Sequence, residues 1–305
     1  CGSWLFEPQS TNLVTYSEDF SQWTPVGTPT ITSNYGISPD GTQNSTRVQF
    51  DADERIASIF SASGDITFSV YLKGSGVITL RDNTNVYRQD VTLTNEWARY
   101  NLSFNATITS VQIQNQTANV IDCEVWGAQA ENLTYSTSLI PTSGSTVTRN
   151  QDVCTNGGSL ATINSTEGVL YAEIAALAND LTQRQISIDD GTGTNRIILR
   201  YNNVSNNINA YLFSGSVQGG ELNFIASDIT QFNKIAFSYK QNEFKLFVNG
   251  TQRAIDTSGN TFSPNTLNDV SFDFNGGFNF FGKTKCLAVW KEALSDQELT
   301  ELTTI

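Results

Sequence analysis

Apolar residues recur at every second position in short runs along this chain, and that period constrains the fold more than any other feature. Ile66, Phe68, Val70 and Leu72 alternate with polar neighbours in DITFSVYLKG. The same habit runs through Val77 and Thr79 of GVITLRD and through Ile108, Val111 and Ile113 of ITSVQIQN. Side chains two apart share one face of a strand, so each run places an apolar stripe on one side and a polar stripe on the other. GVLYAEIAAL, RQISIDDGTG, NRIILRYNN, NINAYLFSG, NKIAFSYKQ, NEFKLFVNGTQRA and VSFDFNGGFNFFGKTKCLAVW continue the pattern. Runs this short, broken by Gly, Asn and Asp about every 8–12 residues, build antiparallel β-sandwiches rather than βαβ units.

Turn and cap chemistry adds detail. Asp190-Gly191 and Asn249-Gly250 each stand between alternating segments, which predicts two type I′ hairpins, a turn that needs φ > 0 at both central residues. Ser295 with Glu298 three residues on makes a capping box, and Leu299 and Leu302 share a face, so a short helix is expected at the C-terminal end. At 305 residues the chain is about twice the ~150-residue prior for one domain. The segment SLIPTSGSTVTRNQDVC, with Pro141, Gly144 and a polar Ser/Thr run, marks a boundary region at residues 141–153. The sequence therefore predicts an all-β chain of two consecutive antiparallel β-sandwich domains, residues 1–145 and 146–305, with one short C-terminal helix.

Composition removes several function classes. The chain has no histidine, which excludes Ser-His-Asp and Cys-His nucleophile systems and every histidine-containing metal site. Carboxylates are then the remaining catalytic groups. Retaining glycosidases need two carboxyl groups about 5–5.5 Å apart; here Glu173 stands alone in LYAEIAA and Asp189 and Asp190 sit at a turn, so no enzyme activity is expected. A formal net charge of −13 with scattered Lys and Arg leaves no basic stripe for nucleic acid and no polybasic membrane anchor. No apolar run approaches the ~20 residues of a membrane-spanning helix. Cys1, Cys123, Cys154 and Cys286 lie far apart without a C-x-x-C pair, which argues against zinc. Free thiols are the default, with a Cys154–Cys286 bridge left open. Methionine is absent, even at position 1, and the expectation is a processed product or a piece of a longer protein.

The opening WLFEPQSTNLVTYSEDFSQWT resembles the start of a carbohydrate-binding-module-like jelly roll found in bacteriophage tail and virion proteins. Glu7, Pro8, Thr11, Asn12, Leu13, Tyr16, Ser17, Glu18, Phe20 and Trp23 carry the match, and Gln129, Glu131, Tyr135, Ile140, Pro141, Thr142 and Arg149 fit the end of the same module. TEGVLYAEI, NKIAFSYKQNEFKLFVNGTQRA and FFGKTKCLAVWKEALSDQELTEL resemble a laminin-G-like, concanavalin A-like jelly roll. The resemblance implies two jelly rolls on a phage particle, as tail, fibre or head decoration. It implies weak multivalent binding of host-surface or environmental glycans at the virion surface, beside other virion proteins in a homo-oligomer or multicopy lattice. Two alternatives stand beside it: a purely structural decoration or fibre subunit that assembles through its sandwich faces, and a secreted bacterial adhesin.

β-Sandwich modules hold sugars by stacking pyranose faces on Trp or Tyr and by side-chain hydrogen bonds. The candidate ligand residues are Tyr71, Tyr87, Arg88 and Trp126 in the first domain and Tyr201 and Tyr211 in the second. Trp97 and Trp126 sit in alternating strands, a context that favours the core or a sheet face over a sugar platform. Phe272, Phe274, Phe278, Phe280 and Phe281 read mainly as core. No cofactor is expected. A structural calcium ion is left open, with Glu18, Asp19, Asp51, Asp53, Glu54, Asp189 and Asp190 as candidate acids in no self-contained calcium loop.

Overall fold

The computed structural model describes residues 2–215, 217–274 and 276–305. Strands dominate it, all paired antiparallel within the sheets, and the chain divides into two compact units. The first unit is Gln9–Asn150; the second combines Cys1–Pro8 with Gln151–Ile305. The first eight residues join the second unit, not the domain that follows them in sequence, because strand Trp4–Phe6 pairs with Gly282–Trp290 (Trp4 opposite Thr284).

In the first unit, Arg55–Gly74 and Ala98–Gln114 are long strands paired over most of their length, from Arg55 opposite Gln114 to Leu72 opposite Ala98. A register shift between Ile59 and Ala62 divides them, and bulges of this kind bend strands. On one side of the bend Arg55–Ala57 pairs with Thr24–Val26; on the other, Thr67–Gly74 pairs with Ile121–Glu131. The sheet folds over itself, since Val48 and Phe50 from one end and Ile78 and Leu80 from the other share one core with Ile66, Phe68, Val70 and Leu72. In Val77–Asp82 the core stripe is Ile78 and Leu80, so the expected phase through Val77 and Thr79 is one residue off. A one-residue slip exchanges the two faces, and both carry β-branched residues in this run.

The second unit is a sandwich of a five-stranded and a six-stranded sheet. The first runs Val217–Ile225, Asn207–Ser214, Arg196–Tyr201, Arg184–Asp189, Asp269–Ser271; the second runs Trp4–Phe6, Gly282–Trp290, Glu167–Ala176, Asn233–Lys240, Glu243–Val248, Thr251–Asp256. Leu170, Ala172 and Ile174 meet Ile186, Ile197 and Leu199 in the core between them. Asn249 (φ 51°) and Gly250 (φ 76°) form the expected two-residue hairpin turn. Asp190-Gly191 does not: six residues separate Asp189 from Arg196, and φ is positive at Gly191 and Gly193 but not at Asp190. Asp190 accepts hydrogen bonds from Thr192 and Asn195 instead, which stabilises the longer loop.

Helix Asp296–Thr303 carries the capping box as predicted. Its Leu299 packs with Val169, Tyr171, Ala236 and Phe247, on the side of the six-stranded sheet away from the main core. Phe272 and Phe280 are core residues, whereas Phe278 is exposed. Cys123, Cys154 and Cys286 are free, so the open Cys154–Cys286 pairing is not made; Cys1 lies outside the described residues.

Candidate functional site

Residues from Gln9 onward that carry the N-terminal resemblance build the fold of the first unit. Asn12 is fully buried; its Nδ2 donates to the carbonyls of Ala128 (3.1 Å) and Ile140 (2.9 Å), and its Oδ1 accepts from the amides of Val14 and Ala130 (3.1 Å each). Gln129 accepts from the Ile140 amide at 2.6 Å, and Glu131 accepts from Ser10 Oγ (2.6 Å) and from the Thr137 amide (3.0 Å). Thr142 Oγ1 donates to the Val14 carbonyl at 2.7 Å. Together these bonds strap residues 132–143 to the side of the sheet away from the core. Thr67, Ser69, Gln129 and Glu131 are buried there, on a face that alternation alone predicts to be open.

That strap decides the fate of two expected ligand residues. Trp126 is only 6% exposed, and its ring lies 5.3 Å from that of Tyr71. Tyr71 is half-buried, with the Arg99 guanidinium 5.5 Å from its ring. The structure brings Tyr71 and Trp126 together as packing, and the buried Trp126 presents no platform. Tyr87, 37% exposed, stacks on Phe104 at 5.0 Å and caps the core, while Arg88 reaches Gln116 Oε1 at 3.3 Å. Tyr201 is fully buried in the second core, donates its hydroxyl to the Ile174 carbonyl at 2.9 Å, and has its pKa pushed up by burial, so it is not available to a ligand. Tyr211 is nearly buried on the other face of its sheet, under the Arg200 guanidinium at 4.8 Å and edge-on to Phe213.

A different group forms an open cleft of about 190 Å³ in the first unit. Its floor is a cross-strand row. Arg47 stands opposite Glu124, and Glu124 opposite Lys73, in three neighbouring strands. Lys73 Nζ meets Glu124 Oε1 at 3.0 Å, Ser45 Oγ donates to Glu124 Oε2 at 2.6 Å, and Arg47 pairs with Asp122 through both Nε and Nη2. The guanidinium holds the Asp122 carboxyl below its usual range. Two aromatic side chains flank the row: Tyr35 (46% exposed) lies 5.1 Å from the Arg47 guanidinium, and the half-buried Trp97 ring lies 5.8 Å from Lys73 Nζ.

Local structure places those rings. Tyr35 sits on an excursion closed by its own amide donating to the Ser45 carbonyl at 2.8 Å, and by the Gly36 amide donating to Ser45 Oγ at 2.9 Å. A Cβ on Gly36 would collide with the Glu124 carboxylate, so glycine lets this excursion lie against the floor. Trp97 Nε1 donates to the Ile37 carbonyl at 2.9 Å and ties the two aromatic arms together. Each ring lies against a cation, with the fixed donors and acceptors of Arg47, Lys73, Asp122 and Glu124 beside it. Sequence reasoning missed Tyr35, Arg47, Lys73, Asp122 and Glu124 and set Trp97 aside. The usable signal was an aromatic between turn formers, in Asn34-Tyr35-Gly36.

A second, larger cleft of about 320 Å³ in this unit is lined by Glu18, Asp19, Asn44 and several hydroxyls. Burial and the neighbouring Asp40 charge raise the Glu18 pKa. Of the other acids considered for calcium, Glu54 accepts from the Thr28 and Asp51 amides, and Asp189 from Ser187 and Gly191. Among the described residues no three acids or cysteines gather as a metal-holding group.

Comparison with known proteins finds a family model that matches part of the second unit. Residues 170–300 match the model of the Concanavalin A-like lectin/glucanases superfamily (Laminin_G_3), in keeping with the all-β sandwich seen there. Among solved structures, the Ruminococcus gnavus IT-sialidase CBM40 bound to α2,3-sialyllactose is similar at 18% identity and a TM-score of 0.41, over 50% of this chain and 95% of that one. Domain 4 of AbnA, an extracellular arabinanase from Geobacillus stearothermophilus, in complex with arabinotriose, is similar at 13% identity and a TM-score of 0.40, over 52% and 73%. The SAP-like pentraxin of Limulus polyphemus is similar at 11% identity and a TM-score of 0.40, over 49% and 74%. No curated protein sequence matches the chain.

Proposed function

We propose that this chain is a glycan-binding adhesion protein whose first unit holds a sugar ring between Tyr35 and Trp97. The observation that carries the reading is the cleft itself, lined by Tyr35 and the Arg47–Glu124–Lys73 row, with the Trp97 ring beside Lys73 at its margin. A pyranose presents an apolar C–H face to such rings and vicinal hydroxyls to paired donors and acceptors. The match of residues 170–300 to a lectin and glucanase superfamily supports the same class. So open a cleft gives weak affinity per copy, and display in many copies supplies avidity. The E-P-x-x-T-N-L and Y-S-E-x-F-x-x-W resemblance supports a place on a bacteriophage particle, at the virion surface.

A glycan array probed with the whole chain tests the binding reading, with Tyr35→Ala and Trp97→Ala as variants. Each substitution is expected to weaken the best glycan about tenfold, the worth of one ring stacked on a sugar face. Absence of any glycan signal from folded multivalent protein, or variants that bind as well as the parent, would overturn it. Locating the chain in an intact particle by labelling tests the virion assignment separately.

A further inference from the structure

We infer that the second unit carries its own glycan site, for an uncharged pyranose, in the cleft between residues 182–183 and 276–281. This cleft is about 460 Å³, and Phe278, Phe281, Gln151, Gln183 and Asn279 supply its chemistry. Among the described residues no charged side chain lines it. Two phenyl rings with three primary amides suit a ring that is apolar on one face and hydroxylated at its edge. A chain of formal net charge −13 also favours a neutral ligand over an anion.

Three further observations point to a ligand. Phe278 is 56% exposed and holds a left-handed backbone conformation (φ 55°), a costly arrangement for a bulky residue that gains little from burial. The Phe278 carbonyl is held by the Gln185 amide at 3.1 Å, so the ring is presented from a fixed point. Asn279 lines the cleft, and its Oδ1 is buried with no hydrogen-bond partner, which leaves an incompletely satisfied amide beside the site. The opposite wall is rigid as well: buried Arg184 pairs with Asp180 at 2.8 Å and donates to the Thr182 carbonyl at 3.1 Å.

This site differs from the Tyr35–Trp97 cleft in location and in charge, so one chain would hold two kinds of sugar. Saturation-transfer NMR on the whole chain, with the methyl glycosides of glucose, galactose and mannose at millimolar concentration, tests it. The Tyr35→Ala/Trp97→Ala double variant serves as background, which separates this inference from the first. Transfer to at least one glycoside is expected to persist in that background. Phe278→Ala should then weaken it about tenfold. Phe278→Gly should abolish the stacking contribution without lowering Tm, because glycine accepts the left-handed backbone freely. Asn279→Leu should weaken binding while the fold is retained. Absence of transfer from all three glycosides, loss of transfer in the background variant, or indifference to Phe278→Ala would each overturn the inference.

Discussion

Replacing Asn12 by Ala tests whether the buried network around the strap closes the first unit. The side chain is fully buried and makes four hydrogen bonds, to Ala128, Ile140, Val14 and Ala130. Alanine leaves the amides of Val14 and Ala130 without an acceptor in the interior, at about 1–3 kcal/mol each, while the two carbonyls lose one donor. Allowing for local relaxation, the expected loss is about 3–5 kcal/mol, a large part of the ~5–15 kcal/mol that stabilises a typical domain. Urea denaturation gives the total, and hydrogen exchange at Val14 and Ala130 gives the local part. Asn12→Asp is the companion variant. Its carboxylate would face two carbonyl oxygens, so its folded pKa would lie above the unfolded value, and its penalty at neutral pH should shrink as pH falls through that folded pKa. A loss below about 1 kcal/mol for Asn12→Ala, with unchanged exchange at both amides, would refute the reasoning, since four buried bonds cannot be that cheap to remove.

Other outcomes follow from the same structure. Hydrogen bonds from Ser38, Thr42 and Asn44 hold the Asp40 pKa at about 2, so its favourable contribution should be present above the ordinary carboxylate range and lost as pH falls through about 2; NMR titration of the Thr42 amide reads this. Glu18 has the opposite sign: burial and Asp40 raise its pKa, so its ionisation opposes folding, and Asp40→Asn should move its titration downward. Burial pushes the Cys123 thiol up to about 12, whereas Cys154 is exposed, so iodoacetamide should label Cys154 in the folded protein and reach Cys123 only on unfolding, as peptide mapping would show. Ser295→Ala removes one half of the capping box and should cost about 1 kcal/mol in urea denaturation.

What the sequence disclosed was local. The Asn249-Gly250 turn and the Ser295–Glu298 box are decided within a few residues, and both are present as expected. Asp190-Gly191 carried the same signal, but the side chain of Asp190 captured Thr192 and Asn195 and lengthened the loop. Tyr201, expected as a ligand residue in an Asn-rich strand, is in phase with Ile197 and Leu199, and phase prevailed. The burial of the sheet face carrying Gln129 and Glu131 was illegible, because residues 132–143 are held there by Asn12, Gln129 and Glu131 from distant parts of the chain. The cleft beside Tyr35 was hidden for the same reason: Tyr35, Arg47, Lys73 and Glu124 come from separate strands and loops that only register brings together.

Strand Trp4–Phe6 belongs to a sheet whose other members begin at Glu167, and the whole first unit is spliced between them. The chain enters and leaves that unit along neighbouring lines, since Ser10 pairs with Arg149 and the backbones of Glu7 and Asp152 are joined at 2.9 Å. Synthesis at about 5–20 residues per second means Trp4 waits many seconds for Thr284 to emerge, while the spliced unit has its full sequence well before. A pull applied at residue 4 would act on a short edge strand three residues long, so the earliest mechanical event is the peeling of that strand, with the cores of both units still closed.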